Sequence, residues 1–324
     1  MKRVGILFLG GAKRVSMGRK FLEAGKRLGL EVELFSYELS PWVPVAEIAE
    51  IVIGKRWSDP GLPDDLARVV RDKGIDILIP FVDGAVEVAA RCRDSVRGVW
   101  TPVGDASRAA GMFDKISSDR IFREAGLPVP ASVREFPMIA KPRFGSASKG
   151  IRILASPAEL EALDNRGNYL IQEYISPRKE ITVDCYVAMN GDIICTVPRY
   201  RIEVQGGEAS VTRTFRNLEV EALACRTLEA TGLRGAVTIQ MIERPAPGNA
   251  ADNAAKEPRY VLMEINPRLG GGAVCACHAG APLPEFILRD ALTLPLSPCA
   301  DWKPDILITR YFSEVCFDLS HEAE

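Results

Sequence analysis

No stretch of this sequence stays apolar for the roughly 18 residues that a membrane-spanning helix needs, so a spanning protein is not expected. Charge of one sign is missing too. Lys and Arg number 41 against 43 Asp and Glu, a net charge of −2. That argues against a nucleic-acid binder, whose affinity rests on broad positive charge; local anion sites need only a few placed cations and N–H groups. The eight cysteines (92, 185, 195, 225, 275, 277, 299 and 316) contain no C-x-x-C pair. Their one cluster, Cys275-Ala276-Cys277-His278, reads as small residues in a packed loop or helix start and not as a zinc site. Reduced, mostly buried thiols in a cytoplasmic protein follow. Histidine is scarce. Only His278 and His321 are present, and His278, among small residues, reads as structural.

What is present describes a globular protein of two or three domains: 324 residues, 47% hydrophobic, with mean hydropathy near zero. Met1 to Gly10 begins like a signal peptide, but the apolar run ends at Gly10-Gly11-Ala12-Lys13-Arg14, as a first buried strand would. Strands are expected at Val4 to Leu9, Glu31 to Tyr37 and Ile75 to Pro80, with helices near Met17 to Leu28 and Asp64 to Lys73. Such alternation predicts a parallel sheet flanked by helices, with Gly10, Gly11 and Phe81-Val82-Asp83-Gly84 at its ligand edge. Gly10-Gly11 lacks the third glycine of a dinucleotide fingerprint.

A boundary is expected near Gly104 to Gly111. Beyond it a helix from Lys115 to Glu124 should stop at Ala125-Gly126-Leu127-Pro128. Strands then recur at Met138 to Lys141, Ile151 to Leu154, Tyr169 to Glu173, Ile181 to Met189, Asp192 to Pro198, Gly235 to Ile242 and Arg259 to Ile265. A helix at Leu218 to Thr231 interrupts them. This half is antiparallel in style. Pro245 to Pro258, rich in Ala, Asn and Pro, reads as a connection between two strands.

Three constellations carry chemistry. Phe144 to Gly150 places Ser146, Ala147, Ser148 and Lys149 between two glycines. It is either an ordinary hairpin or a flap that closes over phosphates, and it is not a Walker A loop. Lys141 ends an apolar strand, where a cation must snorkel out or meet an anion; Lys115 sits beside Asp114 on a helix, where a solvated face is the simpler role. Glu173-Tyr174-Ile175 with Glu180 is either an edge-strand charge pattern or a base- and ribose-contacting linker. Glu264 and Asn266 lie two apart on a strand and share a face, with Gln240 on the preceding strand. These hard oxygens suit Mg²⁺ completed by phosphate, and Arg268 beyond them supplies a planar cation for a transferring phosphoryl group.

In order and spacing these motifs resemble the ATP-grasp superfamily, specifically the synthetase units of carbamoyl phosphate synthetase, from Gly10-Gly11 to about Leu296. The resemblance implies a mixed α/β multidomain fold. A Rossmann-like pre-ATP-grasp domain (1–111) precedes a small subdomain with a glycine-rich lid (112–170) and a larger subdomain with the metal site (171–324). By position, Lys115 and Lys141 match the basic residues on the ATP phosphates. Gly145, Ser146, Ser148, Lys149 and Gly150 match the phosphate loop, Glu173, Tyr174 and Ile175 the adenine linker, and Glu180 the ribose carboxylate. Gln240, Glu264 and Asn266 match ligands of Mg²⁺, with Mn²⁺ a substitute, and Arg268 the catalytic arginine. The chain holds one such unit. The linker Ser176-Pro177-Arg178-Lys179 lacks the family's frequent glycine, and the 245–258 insertion lies outside the pattern.

The implied reaction is ATP-dependent joining of a carboxylate to an amine through an acyl phosphate, with release of ADP and phosphate. It needs no obvious general base, in keeping with two histidines. Bicarbonate as the carboxylate, in a carboxylating or carbamoyl-phosphate-type enzyme, is the alternative. A non-catalytic ATP-binding regulator is a second. Arg199 and Arg201 with Gly206-Gly207 are candidates for a substrate carboxylate, and Asp83 for an amino group. The family leans towards homodimers.

Overall fold

The computed structural model describes residues 1–145, 148–245 and 257–319. Strand β1 (Lys2–Leu9) is buried from Val4 onward, as a central strand of a two-sided sheet must be. Helix α1 (Val15–Arg27) leads to β2 (Leu30–Glu38) and then β3 (Glu50–Ile53). Helix α2 (Leu62–Lys73) has Pro63 in its first turn and stops on Gly74, whose φ of 58° is left-handed. It returns the chain to β4 (Ile75–Pro80), after which come α3 (Asp83–Ser95), α4 (Ala106–Gly111) and α5 (Lys115–Glu124). The four strands form a parallel sheet in the order β3-β2-β1-β4, the arrangement expected from the strand–helix alternation.

A second, three-stranded antiparallel sheet contains β5 (Met138–Pro142) and β6 (Arg152–Leu154). After α6 (Pro157–Glu161), strand β7 (Tyr169–Glu173) completes it on the other side of β5. The remaining chain builds the largest sheet, from β8 (Lys179–Val187), β9 (Ile193–Gln205), β10 (Glu208–Thr214), α7 (Leu218–Thr231), β11 (Gly235–Glu243) and β12 (Tyr260–Asn266). Helices α8 (Val274–Ala279) and α9 (Leu283–Ala291) precede the edge strand β13 (Leu307–Thr309). Strand order is β12-β11-β8-β9-β10-β13, antiparallel throughout.

Alternation along β8 decides what each face does. Ile181, Val183, Cys185 and Val187 point into a core with Val220, Leu223 and Leu228 of α7. Tyr186 and Ala188 face the other way, joining Phe286 and Ile287 of α9 and the α1 side of the parallel sheet in one continuous cluster. Thr182 and Asp184 share that second face but stand nearer its open end. Gly235 marks where the parallel half meets the large sheet. Its φ is +80°, and a Cβ there would come within 1.8 Å of the Pro102 carbonyl oxygen, so only glycine permits this approach.

Strand β9 runs to Gln205, seven residues past the expected end at Pro198. Two arginines in that stretch imitate a solvated loop. Arg199 is in fact buried and pairs with Asp184 at 2.7 Å, the two side chains 2% and 1% exposed. Strands β3, β10 and β13 and helices α3, α4, α6 and α9 were likewise not anticipated. The 245–258 connection lies for the most part outside the described residues. Among the described residues no helix is long and apolar enough to cross a membrane, and all eight cysteines are free.

Breaking the Asp184–Arg199 pair should be costly. Asp184→Asn leaves a guanidinium uncompensated in the core, and a loss of about 3–5 kcal/mol is expected. Urea denaturation measures it; a loss below about 1 kcal/mol would show that the pair contributes little.

Candidate functional site

Strand register assembles the first part of the site. Gln240 on β11 pairs directly with Glu264 on β12 and with Thr182 on β8; Thr238 pairs with Asn266 and Asp184. Directly opposed residues share a face, so the six side chains form two adjacent polar rows. A register shift after Gln240 leaves Met263 unpaired. This bulge keeps both Leu262 and Ile265 in the underlying core while Glu264 and Asn266 face the cleft. The amide of Asn266 donates to Glu264 Oε1 at 3.1 Å. Just beyond, Arg268 donates through Nε to Asp83 Oδ1 at 2.7 Å and through Nη2 to Asn266 Oδ1 at 3.4 Å. Asp83 thus orients the Arg268 guanidinium from the start of α3.

Lys141 faces this carboxylate from the smaller sheet. It is 7% exposed, and its ammonium donates to the neutral Gln172 Oε1 at 2.9 Å. Gln172 in turn donates to Asp119 Oδ1 at 2.7 Å. Burial pushes the Lys141 ammonium down to about 8, against the opposing pull of Glu264 and Asp119; Lys115 and Arg178 add to the lowering. A desolvated cation with a neutral hydrogen-bond partner is poised to receive an anion.

The glycine-rich loop is tied down at its stem. Asp114 caps α5 by accepting from the Ile116 and Ser117 N–H groups and also binds Arg143 at 2.6 Å. Arg143 holds the Asp114 carboxyl down to about 2. Lys115 donates through Nζ to the Gly145 carbonyl at 2.6 Å. Gly145, Ser148 and Gly150 all have positive φ, and Lys149 is exposed. Ser146 and Ala147 lie outside the described residues.

The segment after β7 is anchored through its side chains. Glu173 accepts a bidentate pair from Arg244 and the Ala131 N–H at 2.6 Å, so its carboxylate holds the linker in place. Ile175 packs with Ile242, Val261 and Met263 in a separate apolar cluster, while Tyr174 lies under the Arg178 guanidinium, 5.4 Å from the ring centre. Glu180 sits between Arg178 and Arg201, 3.3 Å from each.

Beside the Gln240–Asn266 row opens a cavity of about 210 Å³. Asp83, Arg201, Gly206, Gly207 and Arg268 line it, together with residues that were not anticipated: Arg14, Thr182, Glu208 and Thr238. Arg199 also reaches its wall, but its guanidinium is committed to Asp184, which corrects its expected role as a free carboxylate anchor. Gly271 and Gly272 let the backbone pass against charged groups, since a Cβ would fall 2.4 Å from the Glu208 carboxylate carbon and 2.7 Å from Arg199 Nη1, respectively. Glu208 bridges Arg14, at 2.7 Å, and Arg310. Burial works against this carboxylate, yet the two arginines outweigh it and bring it down to about 2. The signal for Thr182 and Asp184 lay in the sequence Ile-Thr-Val-Asp-Cys, a strict alternation inside a buried strand. Arg14 and Glu208, 194 residues apart, left no such signal.

The Gly10-Gly11 turn is filled from within. Glu38, at the end of β2, accepts from Ser36 Oγ at 2.7 Å and from the Gly11 and Ala12 N–H groups, while burial raises its pKa. The N–H groups that a dinucleotide phosphate would need are therefore taken. Among the described residues no cluster of three His, Cys, Asp or Glu is placed to hold a metal; any metal ligand set in the Glu264 row combines one carboxylate with amides.

Residues 166–311 match a family described as ATP-grasp in the biosynthetic pathway with Ter operon. Among curated proteins, the chain is similar to the mitochondrial methylcrotonoyl-CoA carboxylase subunit alpha of Oryza sativa subsp. japonica, 28% identical over 255 residues, which is 67% of this chain and 33% of that protein. The Arabidopsis thaliana counterpart is 26% identical over 253 residues, with the same coverage. The chain spans about a third of the length of these curated relatives. Among solved structures, the biotin carboxylase domain of Hydrogenobacter thermophilus 2-oxoglutarate carboxylase, in complex with MgADP, ADP and bicarbonate, superposes with a TM-score of 0.72 at 17% identity, covering 94% of this chain and 73% of that one. N5-carboxyaminoimidazole synthetase from Staphylococcus aureus, complexed with ADP, gives 0.68 at 15%, covering 92% and 80%. L-amino acid ligase from Bacillus licheniformis gives 0.67 at 16%, covering 92% and 75%. The chain thus shares its fold with these enzymes, and its residues 166–311 match an ATP-grasp family.

Proposed function

We propose that this protein is an ATP-dependent carboxylate–amine ligase acting through an acyl phosphate, with its phosphoryl-transfer centre between Lys141 and the Gln240–Glu264–Asn266 row. The observation that carries this is the buried Lys141 ammonium, bonded to a neutral amide and facing a carboxylate-bearing strand pair. That combination suits a polyanion neutralised from both sides.

The residues fit the nucleotide and its metal. Lys141 and Lys115 would meet the phosphates, with Gly145, Ser148, Lys149 and Gly150 as further donors. The apolar surface of Ile175, Ile242 and Met263 takes the base, and Glu180, already within reach of two arginines, takes the ribose. Gln240, Glu264 and Asn266 offer hard oxygens from one face of the sheet, a set that suits Mg²⁺ or Mn²⁺. The metal, when bound, neutralises charge on the transferring phosphoryl group. With one carboxylate among these residues, the site depends on phosphate oxygens to complete its charge.

In the first step a substrate carboxylate oxygen attacks the γ-phosphorus, the bond to the β-phosphate oxygen breaks, and ADP leaves. Arg268, oriented by Asp83, steadies the negative charge that passes across. In the second step a neutral amine attacks the activated carbonyl; the carbon–nitrogen bond forms as the carbon–oxygen bond to phosphate breaks, and the amine proton leaves with the departing phosphate. Positioning supplies most of the catalysis. The cavity of about 210 Å³ beside Arg268 is where the carboxylate and the amine would meet.

Two measurements test this. Saturating Mg·ATP should raise the melting temperature, since ligand at a hundred times its Kd adds about 2.7 kcal/mol to native stability; no shift at millimolar nucleotide would count against nucleotide binding. ADP release should then depend on added carboxylate and amine across a panel of amino acids, dipeptides and bicarbonate. Release driven by bicarbonate alone would point to the carboxylating class instead.

A further inference from the structure

Two buried polar atoms at the cavity have no hydrogen-bond partner: Thr182 Oγ1 and Arg201 Nε. Thr182 is 1% exposed and the Arg201 side chain 10%. Buried polar atoms of this kind are rare in native proteins and call for a missing partner. Both residues line the cavity wall. Thr182 stands opposite Gln240 on β11 and Arg199 on β9, so it is adjacent to the proposed metal row on one side and to the arginine strand on the other.

The other cations at this cavity are committed. Arg199 is bound to Asp184, Arg268 to Asp83, and Arg14 to Glu208. Arg201 is paired more loosely: Glu180 lies 3.3 Å from its Nε without hydrogen-bond geometry and is shared with Arg178, and Nη2 donates to the Gly207 carbonyl at 3.1 Å. Its Nε–H and the Thr182 hydroxyl are both unsatisfied donors of residues on the wall of this one cavity. Both want an acceptor, and an acceptor that also compensates a desolvated guanidinium is an anion.

We propose that Thr182 and Arg201 form a second anion subsite, which holds a non-reacting carboxylate while the reacting one lies at Arg268. The substrate class is then a small dicarboxylate or an acidic amino acid. Strand β9 lies three strand spacings from β12, roughly 14 Å, and the side chains of Arg201 and of Arg268, just past β12, both reach the cavity between them. A four- to six-carbon backbone spans the remaining gap. This assignment rests on the ligase reading for the identity of the reacting carboxylate, but the subsite itself is a statement about binding.

The test is therefore made by calorimetric titration without turnover. Wild-type protein loaded with Mg²⁺ and a non-hydrolysable ATP analogue is titrated with succinate, glutarate, aspartate and glutamate, and separately with butyrate and alanine. At least one dicarboxylate should bind ten times more tightly than either monocarboxylate. In Thr182→Val and Arg201→Lys that preference should fall to within about twofold, with analogue affinity unchanged. Thr182→Val should melt no lower than wild type, because it removes an unpaired buried hydroxyl, and so serves as the folded control. No dicarboxylate preference in wild type would overturn the proposal. So would an equal loss of analogue affinity in the variants, which would assign the two donors to a nucleotide phosphate. Absence of ADP release with every carboxylate, alongside a retained dicarboxylate preference, would defeat the ligase reading and leave the subsite standing.

Discussion

Glu264→Gln should lower carboxylate-dependent ADP release by at least about a hundredfold, the scale expected when one preorganised electrostatic group is lost from a phosphoryl-transfer centre. Glu264 is the one ionisable member of the row it forms with Gln240 and Asn266. The substitution leaves three neutral amides, which bind a divalent cation far more weakly than a set containing a carboxylate. The shape is preserved: a glutamine oxygen can still accept from the Asn266 amide, now 3.1 Å from Glu264 Oε1. Stability should therefore stay close to wild type, and excess metal should recover part of the rate. Wild-type turnover in a folded Glu264→Gln protein would place the metal centre elsewhere.

Lys141→Met should separate stability from binding. A lysine brought down to about 8 by burial binds fewer protons in the native state than in the unfolded state, where its pKa is near 10.4. Stability from this group rises as pH climbs from about 8 to 10.5, and below that window the buried charge costs on the order of 3 kcal/mol. Methionine is similar in volume and carries no charge, so the free variant should be as stable as wild type or more so at pH 7. Its affinity for Mg·ATP should fall by about a hundredfold, because charge-assisted contacts to phosphate are lost. The same residue predicts a proton signature. An arriving polyanion restores the ordinary ammonium pKa, so binding at pH 8 should take up roughly half a proton in wild type and none in the variant. Calorimetry in two buffers of different ionisation enthalpy reads this directly. A variant that binds nucleotide as well as wild type would remove Lys141 from the site.

Much of this arrangement is written in short-range pattern. Helices at Lys115–Glu124 and Leu218–Thr231 and the strand Tyr169–Glu173 have the limits that local periodicity and capping imply, because Asp114, Asn217 and flanking Gly and Pro act within a few residues. The pairing of Glu264 with Asn266 is equally local: residues two apart on a strand share a face whatever the sheet around them. So is the anomaly of Lys141, a cation at the end of an apolar run. What local pattern misjudged was charge that is neutralised at a distance. Arg199 looked available and is consumed by Asp184, and the Glu173 carboxylate, whose partner no local pattern shows, is clamped by Arg244 from 71 residues away.

The sequence alone thus determined the alternating and antiparallel halves, the cationic strand end at Lys141, and the oxygen-bearing strand around Glu264, since each depends on neighbours a few residues apart. Only the tertiary structure decided which charges remain unspent, because ion pairs such as Arg14–Glu208 and Arg268–Asp83 join segments separated by 194 and 185 residues. Pairing at that range is set by how the sheets are brought together, and no periodicity in the chain encodes it. The two cavity-wall atoms without a hydrogen bond, Thr182 Oγ1 and Arg201 Nε, become visible only once the strands around them have been brought together.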